Sequence, residues 1–213
     1  MIHAYDKVYL EKARTTLARM LDFAVYDLDY DIEDFFNMFI DSGIATRFEK
    51  GDFHLIAGKS GVELAYDVAE IFDKNKRNIR PKYPANRSEE YWTGWALAYF
   101  QWETGLSFAE IVKYVSIKDV QSLYNPYHEM DIRQFADKMT DLYKSAKSDT
   151  NLKIIRTRLE LTQKELSELS GVPVRTIQQY EQRQKNINKA QTEYLVMLSK
   201  ALSCRIEDLL EYV

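Results

Sequence analysis

The sequence is poor in cysteine, glycine and proline. Its single cysteine, Cys204, excludes an internal disulfide framework and a cysteine-rich zinc site, as is typical of a protein in the reducing cytosol. Seven glycines and four prolines in 213 residues leave few breaks in regular structure. Together with 46% hydrophobic and 29% charged residues, this scarcity predicts a mostly helical, globular protein.

Long hydrophobic runs are also lacking. The stretch "WALAYF" (95–100) is far shorter than the roughly 20 apolar residues that span a bilayer. The first residues, "MIHAYDKVYLEK", contain no apolar core of the length that a signal peptide needs. We therefore expect a cytoplasmic protein that does not interact with a membrane.

Charge is distributed unevenly along the chain. Residues 150–213 carry 10 basic and 8 acidic side chains, whereas residues 1–149 carry 19 basic and 25 acidic ones. The polar string "KSAKSDTN" (144–151) lies at this change and has the composition of a linker. We predict two domains, 1–147 and 148–213, and an acidic first domain of this kind is expected if only the second meets phosphate.

The first domain is predicted to be a helical bundle. Gly43 is expected to follow the end of one helix, and Ser60 with Glu63, and Ser107 with Glu110, have capping-box spacing. No strand pattern stands out. Apolar periodicity and these caps predict seven helical segments, at residues 6–28, 31–43, 58–75, 88–105, 107–116, 117–124 and 131–145.

One segment of this domain is unusually aromatic. Six of the twelve residues from Tyr91 to Trp102 are aromatic. A helix that is apolar around most of its circumference is normally central in a bundle, and we favour that interpretation. The alternative is a ligand pocket lined by Trp92, Trp95, Tyr99 and Trp102.

The second domain begins with two short amphipathic helices and a sharp turn. Leu152, Ile155 and Leu159 share one side of the first helix, residues 151–161. Thr162 is the predicted N-cap of the second helix (162–169), with Glu165 at the capping-box position. The turn "SGVP" follows, with Gly171 placed for a left-handed conformation. Pro173 is expected in the first turn of a third helix.

The third helix has two chemically different sides. At 100° per residue, Pro173, Thr176, Ile177 and Tyr180 group on the side that would pack on the first two helices. The other side carries one apolar group, one guanidinium and three amides, contributed by Val174, Arg175, Gln178, Gln179 and Gln182. These groups read base edges in the major groove, since arginine pairs with guanine and glutamine with adenine.

Residues 152–211 resemble the Cro/C1-type helix-turn-helix domains of the XRE family. The resemblance rests on "LxxIRxxxxLTQxELSxLSGVPxRTIxxYE" and on "AQTEYLVMLSKALSCRIEDLL" for two further helices. It implies a five-helix, all-α fold that binds double-stranded DNA, usually as a homodimer on a palindromic operator. It also implies a structural ion pair between Arg156 and Glu181, and base-facing positions at Val174, Arg175, Gln178 and Gln179.

Phosphate contacts are expected on either side of the third helix. By the same resemblance, Thr162 and Gln163 lie at the start of the second helix, where the family contacts the DNA backbone. Many members of the family have glycine directly after the third helix, whereas this chain has Arg183. The departure leaves the conformation of that loop open and offers Arg183 and Lys185 as further phosphate contacts.

Two segments resemble catalytic or metal-binding motifs but lack a residue that each motif needs. In "AGKSG" (57–61) a phosphate-binding loop would need glycine at position 53, which is Phe53, so a turn before a capped helix is favoured. "HEMDI" (128–132) has Ile132 where a zinc protease has its second histidine. We expect no enzyme, no metal site and no cofactor.

The segment 22–36 holds six carboxylates and no basic residue. A solvated helix face explains it simply, and the alternatives are a surface that binds a basic partner or a negative charge that keeps the first domain from binding DNA. The candidate surface consists of Asp27, Asp29, Asp31, Glu33 and Asp34.

The role of the first domain has two leading explanations. The chain as a whole resembles antitoxins of bacterial toxin–antitoxin pairs, which bind a toxin protein and repress their own operon. The segments "SGIATRFEKGDFHLIAGKSGVELAYDV" and "YWTGWALAYFQWETG" carry this resemblance. The alternative is a stand-alone repressor whose first domain senses a small ligand, and an enzyme with a DNA-targeting tail is the least favoured class.

Overall fold

The computed structural model describes residues 3–72, 79–82, 87–147 and 149–211, and within these ranges all regular structure is helical. This confirms the predicted all-α fold. Each helix of these ranges is too short or too polar to cross a bilayer. The chain divides into an N-terminal unit, Met1–Ala146, and a C-terminal unit, Lys147–Val213, which are described separately.

The N-terminal unit contains more helices than the sequence predicted. The seven predicted segments are present, although the predicted end of the third, residues 73–75, lies outside the described residues. Its helices are α1 (Leu10–Tyr26), α2 (Ile32–Asp41), α3 (Ile44–Glu49), α4 (Phe53–Ile56), α5 (Gly61–Phe72), α6 (Glu89–Thr104), α7 (Phe108–Tyr114), α8 (Ile117–Ser122), α9 (Tyr124–Tyr127) and α10 (Ile132–Ala146). The short helices α3, α4 and α9 were not predicted.

The helix predicted over residues 117–124 ends at Ser122, and Pro126 lies inside the next helix, α9. It is the third residue of that helix. The first N–H groups of a helix have no intrahelical acceptor, so proline is tolerated there.

Helices α1 and α6 pack so closely that glycine is required between them. A Cβ atom on Gly94 of α6 would lie 2.7 Å from the carbonyl oxygen of Leu17 in α1. On the neighbouring side, a Cβ atom on Gly61 of α5 would lie 2.5 Å from the carbonyl oxygen of Thr16. Helix α1 therefore lies between α6 and α5. The aromatic helix α6 is buried along most of its length, as predicted for a central helix.

The predicted helix ends of the N-terminal unit are largely confirmed. The amide of Ser60 donates to Glu63 Oε2 at 2.8 Å, and Ser60 Oγ accepts from the Glu63 amide at 3.2 Å. Gly105 ends α6 with a left-handed φ of 70°. The box predicted at Ser107 is half formed, because the Glu110 carboxylate accepts from the hydroxyl of Tyr143.

The predicted linker is mostly structured. Helix α10 continues to Ala146, and Thr150 is buried as the N-cap of the next helix. Lys147 is buried, and its Nζ donates to Asn151 Oδ1 at 2.9 Å. Ser148, between them, lies outside the described residues. Polar composition predicted a linker here, because composition does not show which polar side chains cap a helix.

The C-terminal unit has five α-helices in its described part. These are α11 (Asn151–Arg158), α12 (Gln163–Ser170), α13 (Val174–Glu181), α14 (Thr192–Ala201) and α15 (Ile206–Leu209). Its core consists of Leu152, Leu166, Val172, Ile177, Tyr180, Ile187, Leu195, Leu198, Leu202 and Leu209. Leu159, predicted on the packed side, is instead exposed, since α11 ends at Arg158 and Glu160 turns the chain with a φ of 55°.

Candidate nucleic-acid interface

Helix α12, which precedes the turn into α13, is capped at both of its ends. Thr162 Oγ1 accepts from the amide of Glu165, whose carboxylate accepts from the amide of Thr162 at 2.7 Å. Gly171 ends α12 with a φ of 74°, a conformation that a side chain would strain. Ser167 Oγ donates to the carbonyl oxygen of Val172 at 2.7 Å. These contacts set the angle at which α13 leaves the turn.

Helix α13 presents polar side chains away from the core. Ile177 and Tyr180 are buried, whereas Val174 and Arg175 are exposed. Gln178 and Gln179, which lie on the same side as Val174 and Arg175 by helical periodicity, are half-buried. The side predicted to face DNA is therefore turned toward solvent.

Pro173 differs from its predicted place. It is exposed, although the helical wheel put it on the packed side, and it is the N-cap of α13 rather than a residue of the first turn. Its ψ of 133° is extended, so the wheel does not yet apply at this residue.

Arg156 and Glu181 are joined by two hydrogen bonds. Arg156 Nε donates to Glu181 Oε1 at 2.7 Å, and Nη2 donates to Oε2 at 2.9 Å. The remaining guanidinium nitrogen donates to the carbonyl oxygen of Leu161 at 2.6 Å. The carboxylate raises the pKa of Arg156 above its ordinary value, so the guanidinium stays charged. This pair joins α11 to the end of α13.

Gln163 takes part in the same network. Its Nε2 donates to Glu181 Oε2 at 2.8 Å, so the carboxylate of Glu181 also holds the start of α12. Gln163 was predicted only as a phosphate contact, and this bond was not predicted. The separation of 18 residues gives no local signal for it. Thr162, beside it, is exposed.

The loop after α13 adopts the conformation that glycine usually provides. Arg183 has a φ of 56°, so the loop has a left-handed conformation at this position although glycine is absent. Its Nη2 donates to the carbonyl oxygen of Lys147 at 2.9 Å, so part of its guanidinium is used within the unit. Lys185 is exposed, and its amide donates to the carbonyl oxygen of Gln179 at 3.0 Å.

The acidic segment of the N-terminal unit is less accessible than predicted. The Asp27 side chain is 1% exposed and accepts from the amide of Lys82 at 2.9 Å, so it is not part of a surface. Asp31 is the N-cap of α2, and both it and Glu33 pair with Lys118 at 3.3 and 3.1 Å. Of the five carboxylates of the candidate surface, Asp27 is therefore enclosed and Asp31 and Glu33 are paired, whereas Asp29 and Asp34 are exposed.

Residues 152–209 match a family model described as helix-turn-helix, HTH_3. This part of the chain is a helix-turn-helix domain of the XRE, Cro/C1 type. Such a helix-turn-helix domain indicates DNA binding and a role in transcription regulation. No curated protein and no solved structure matches the chain.

Proposed function

We propose that the protein is a sequence-specific transcription regulator whose helix-turn-helix domain inserts α13 into the major groove. The observation that carries this proposal is the outward orientation of Val174, Arg175, Gln178 and Gln179 on a helix whose opposite side is buried. A guanidinium can bind guanine O6 and N7 together, an amide can bind adenine N6 and N7, and an apolar group can contact the thymine methyl.

The DNA backbone is proposed to be held on both sides of α13. Thr162 and Gln163 lie at the start of α12, where the first backbone N–H groups of a helix lack intrahelical acceptors and the helix dipole favours an anion. Beyond α13, Lys185 is exposed and offers an ammonium group. Arg183, directly after α13, is proposed as a further phosphate contact.

A homodimer on a palindromic operator follows from the small number of phosphate-binding groups. Residues 150–213 have a net charge of only +2, because 10 basic residues are offset by 8 acidic ones. Since the electrostatic share of DNA affinity grows with the number of phosphates neutralised, a single domain of this charge binds weakly. Two copies on half-sites one helical turn apart double these contacts.

The experiment that tests DNA recognition is selection of random duplexes by the full-length protein, followed by sequencing. We expect a palindromic consensus that protects one face of the DNA in footprinting. Enrichment of no sequence over the random input, at salt concentrations where binding is measurable, would refute sequence-specific recognition.

For the N-terminal unit, the proposed role is binding of a toxin protein, with the chain acting as an antitoxin that represses its own operon. The support is the resemblance stated above and the presence of a helical unit larger than the DNA-binding domain. The exposed carboxylates Asp29 and Asp34 are the acidic groups of this segment left to meet a basic partner.

Co-expression with each neighbouring gene tests the antitoxin role. One neighbour is expected to stop growth when expressed alone, to be neutralised by this protein, and to be recovered with it in a pull-down. If every neighbour is harmless alone, the toxin-binding role is wrong while the DNA-binding role stands. A ligand-sensing role is the second candidate, favoured by a buried arginine in the N-terminal unit.

A further inference from the structure

Arg14 is a buried cation between α1 and α6 of the N-terminal unit. It lies on α1, and its side chain is 7% exposed. The guanidinium carbon lies 3.3 Å from the ring centroid of Trp95 and 5.2 Å from that of Tyr99, both on α6. Nη1 donates to Glu11 Oε1 at 2.5 Å, and the Glu11 side chain is 72% exposed. The charge is thus balanced on one side by a solvated carboxylate and a ring face.

The other edge of this guanidinium has no acceptor. Nε and Nη2 of Arg14 are buried and have no hydrogen-bond partner within the part of the chain that the structure describes. Buried donors of a charged group are expensive to leave unpaired. In agreement with this, desolvation lowers the pKa of Arg14 from its ordinary value.

Nε and Nη2 form the edge of arginine that binds a carboxylate with two parallel hydrogen bonds. Among the described residues, three other arginines use the same edge in this way. They are Arg133 with Asp131, Arg156 with Glu181, and Arg205 with Asp208. The group expected to bind Nε and Nη2 of Arg14 is therefore a carboxylate.

We propose that Arg14, Trp95 and Tyr99 form a binding site for a small organic carboxylate, whose two oxygens accept hydrogen bonds from Nε and Nη2 of Arg14. The ligand must be small because these nitrogens are buried, so a folded protein surface cannot reach them. The half-buried Trp95 and Tyr99 and the exposed Glu11 adjoin the guanidinium and reach solvent. Rotation of these side chains gives access without separating α1 from α6.

Such a site would make the stability of the N-terminal unit depend on the ligand. Ligand binding to the folded state alone raises stability with the logarithm of ligand concentration. The site lies between α1 and α6, the most closely packed helices of the unit, so bound ligand would hold this pair together. The proposal is independent of DNA recognition by α13.

The test is the melting temperature of the full-length protein in the presence of matched carboxylates and amides. The probes are acetate, benzoate and phenylacetate against acetamide, benzamide and phenylacetamide, at constant ionic strength set with sodium chloride. We expect at least one carboxylate to raise Tm with the logarithm of its concentration above Kd, by about 5 °C or more at 100 times its Kd, while its amide does not. Equal effects of carboxylate and amide in all three pairs would overturn the proposal.

Variants assign any effect to Arg14. Arg14→Lys keeps the positive charge and removes the fork, and Arg14→Met removes both, so each should lose the carboxylate-dependent shift. Arg47→Met is the matched control, because Arg47 is exposed and already paired with Asp52. If Arg14→Met does not fold, Arg14→Lys decides. A shift that persists in Arg14→Lys would show that the anion binds elsewhere.

Discussion

Arg156 and Glu181 join α11, the first helix of the C-terminal unit, to the end of α13 through two hydrogen bonds, with side chains that are 10% and 2% exposed. The same carboxylate accepts from Gln163 at the start of α12. One buried carboxylate therefore positions three helices, including the two that are proposed to contact DNA.

Replacing Glu181 by glutamine should destabilise the C-terminal unit strongly. The change keeps the shape of the side chain but leaves the Arg156 guanidinium buried without its counter-ion, which costs about 3 kcal/mol. Hydrogen–deuterium exchange of peptides from α11 and α13 measures the local loss. Glu168→Gln is the control, because the Glu168 side chain is 66% exposed and its pairing with Lys164 contributes less than about 1 kcal/mol. Equal exchange in the two variants would contradict the structural role of the pair.

Removing the outward side chains of α13 should relax sequence preference. Arg175→Ala and Gln178→Ala each remove a group proposed to read a base, at a cost of about 1–3 kcal/mol in discrimination. Binding of each variant to the selected operator and to single-base variants of it measures this loss. Arg205→Ala serves as control, since Arg205 pairs with Asp208 before α15. If both α13 variants keep the original operator preference, α13 is not the reading helix.

Lys185→Ala should weaken binding to all sequences alike. Its ammonium group is proposed to contact phosphate, so the slope of log K against log salt should become shallower by about 1 unit. A titration of operator and random duplex at several salt concentrations measures both effects. Lys200→Ala, another exposed lysine of the same unit, should leave the slope unchanged. A loss of affinity for the operator alone would instead assign Lys185 to base reading.

Gly94→Ala should prevent the N-terminal unit from packing normally. The added carbon would lie 2.7 Å from the carbonyl oxygen of Leu17 and 2.8 Å from the Cα of Ala18, so α1 and α6 must separate, at about 3 kcal/mol or more. Gly43→Ala is the control, because nothing lies within 4 Å of its added carbon and the cost is the strain of a positive φ, about 1 kcal/mol. Thermal unfolding followed by tryptophan fluorescence compares them, and similar Tm values would show that the helices can adjust.

Features that depend on neighbouring residues were readable from the sequence. The capping box at Thr162 and Glu165 and the left-handed Gly171 follow from residue types at fixed spacing, and both are present. The orientation of α13 follows from helical periodicity, with the exception of Pro173, which precedes the first helical residue.

Features that depend on contacts between residues far apart in the sequence could not be predicted from it. The Asp27 carboxylate accepts a hydrogen bond from the amide of Lys82, 55 residues away. No local sequence pattern predicts this contact. The bond from Arg183 to Lys147 spans 36 residues. The burial of Arg14 depends on α6 lying against α1, and the spacing of charges along α1 does not reveal it.

The packing of α1 against α6 also has a consequence during synthesis. Roughly 80 residues separate the end of α1 from the end of α6. At about 5–20 residues per second, the ribosome needs about 4–16 seconds to synthesise the chain from the end of α1 to the end of α6. During that interval the apolar surface of α1 that packs against α6 is uncovered. This segment of the nascent chain is therefore a binding target for chaperones.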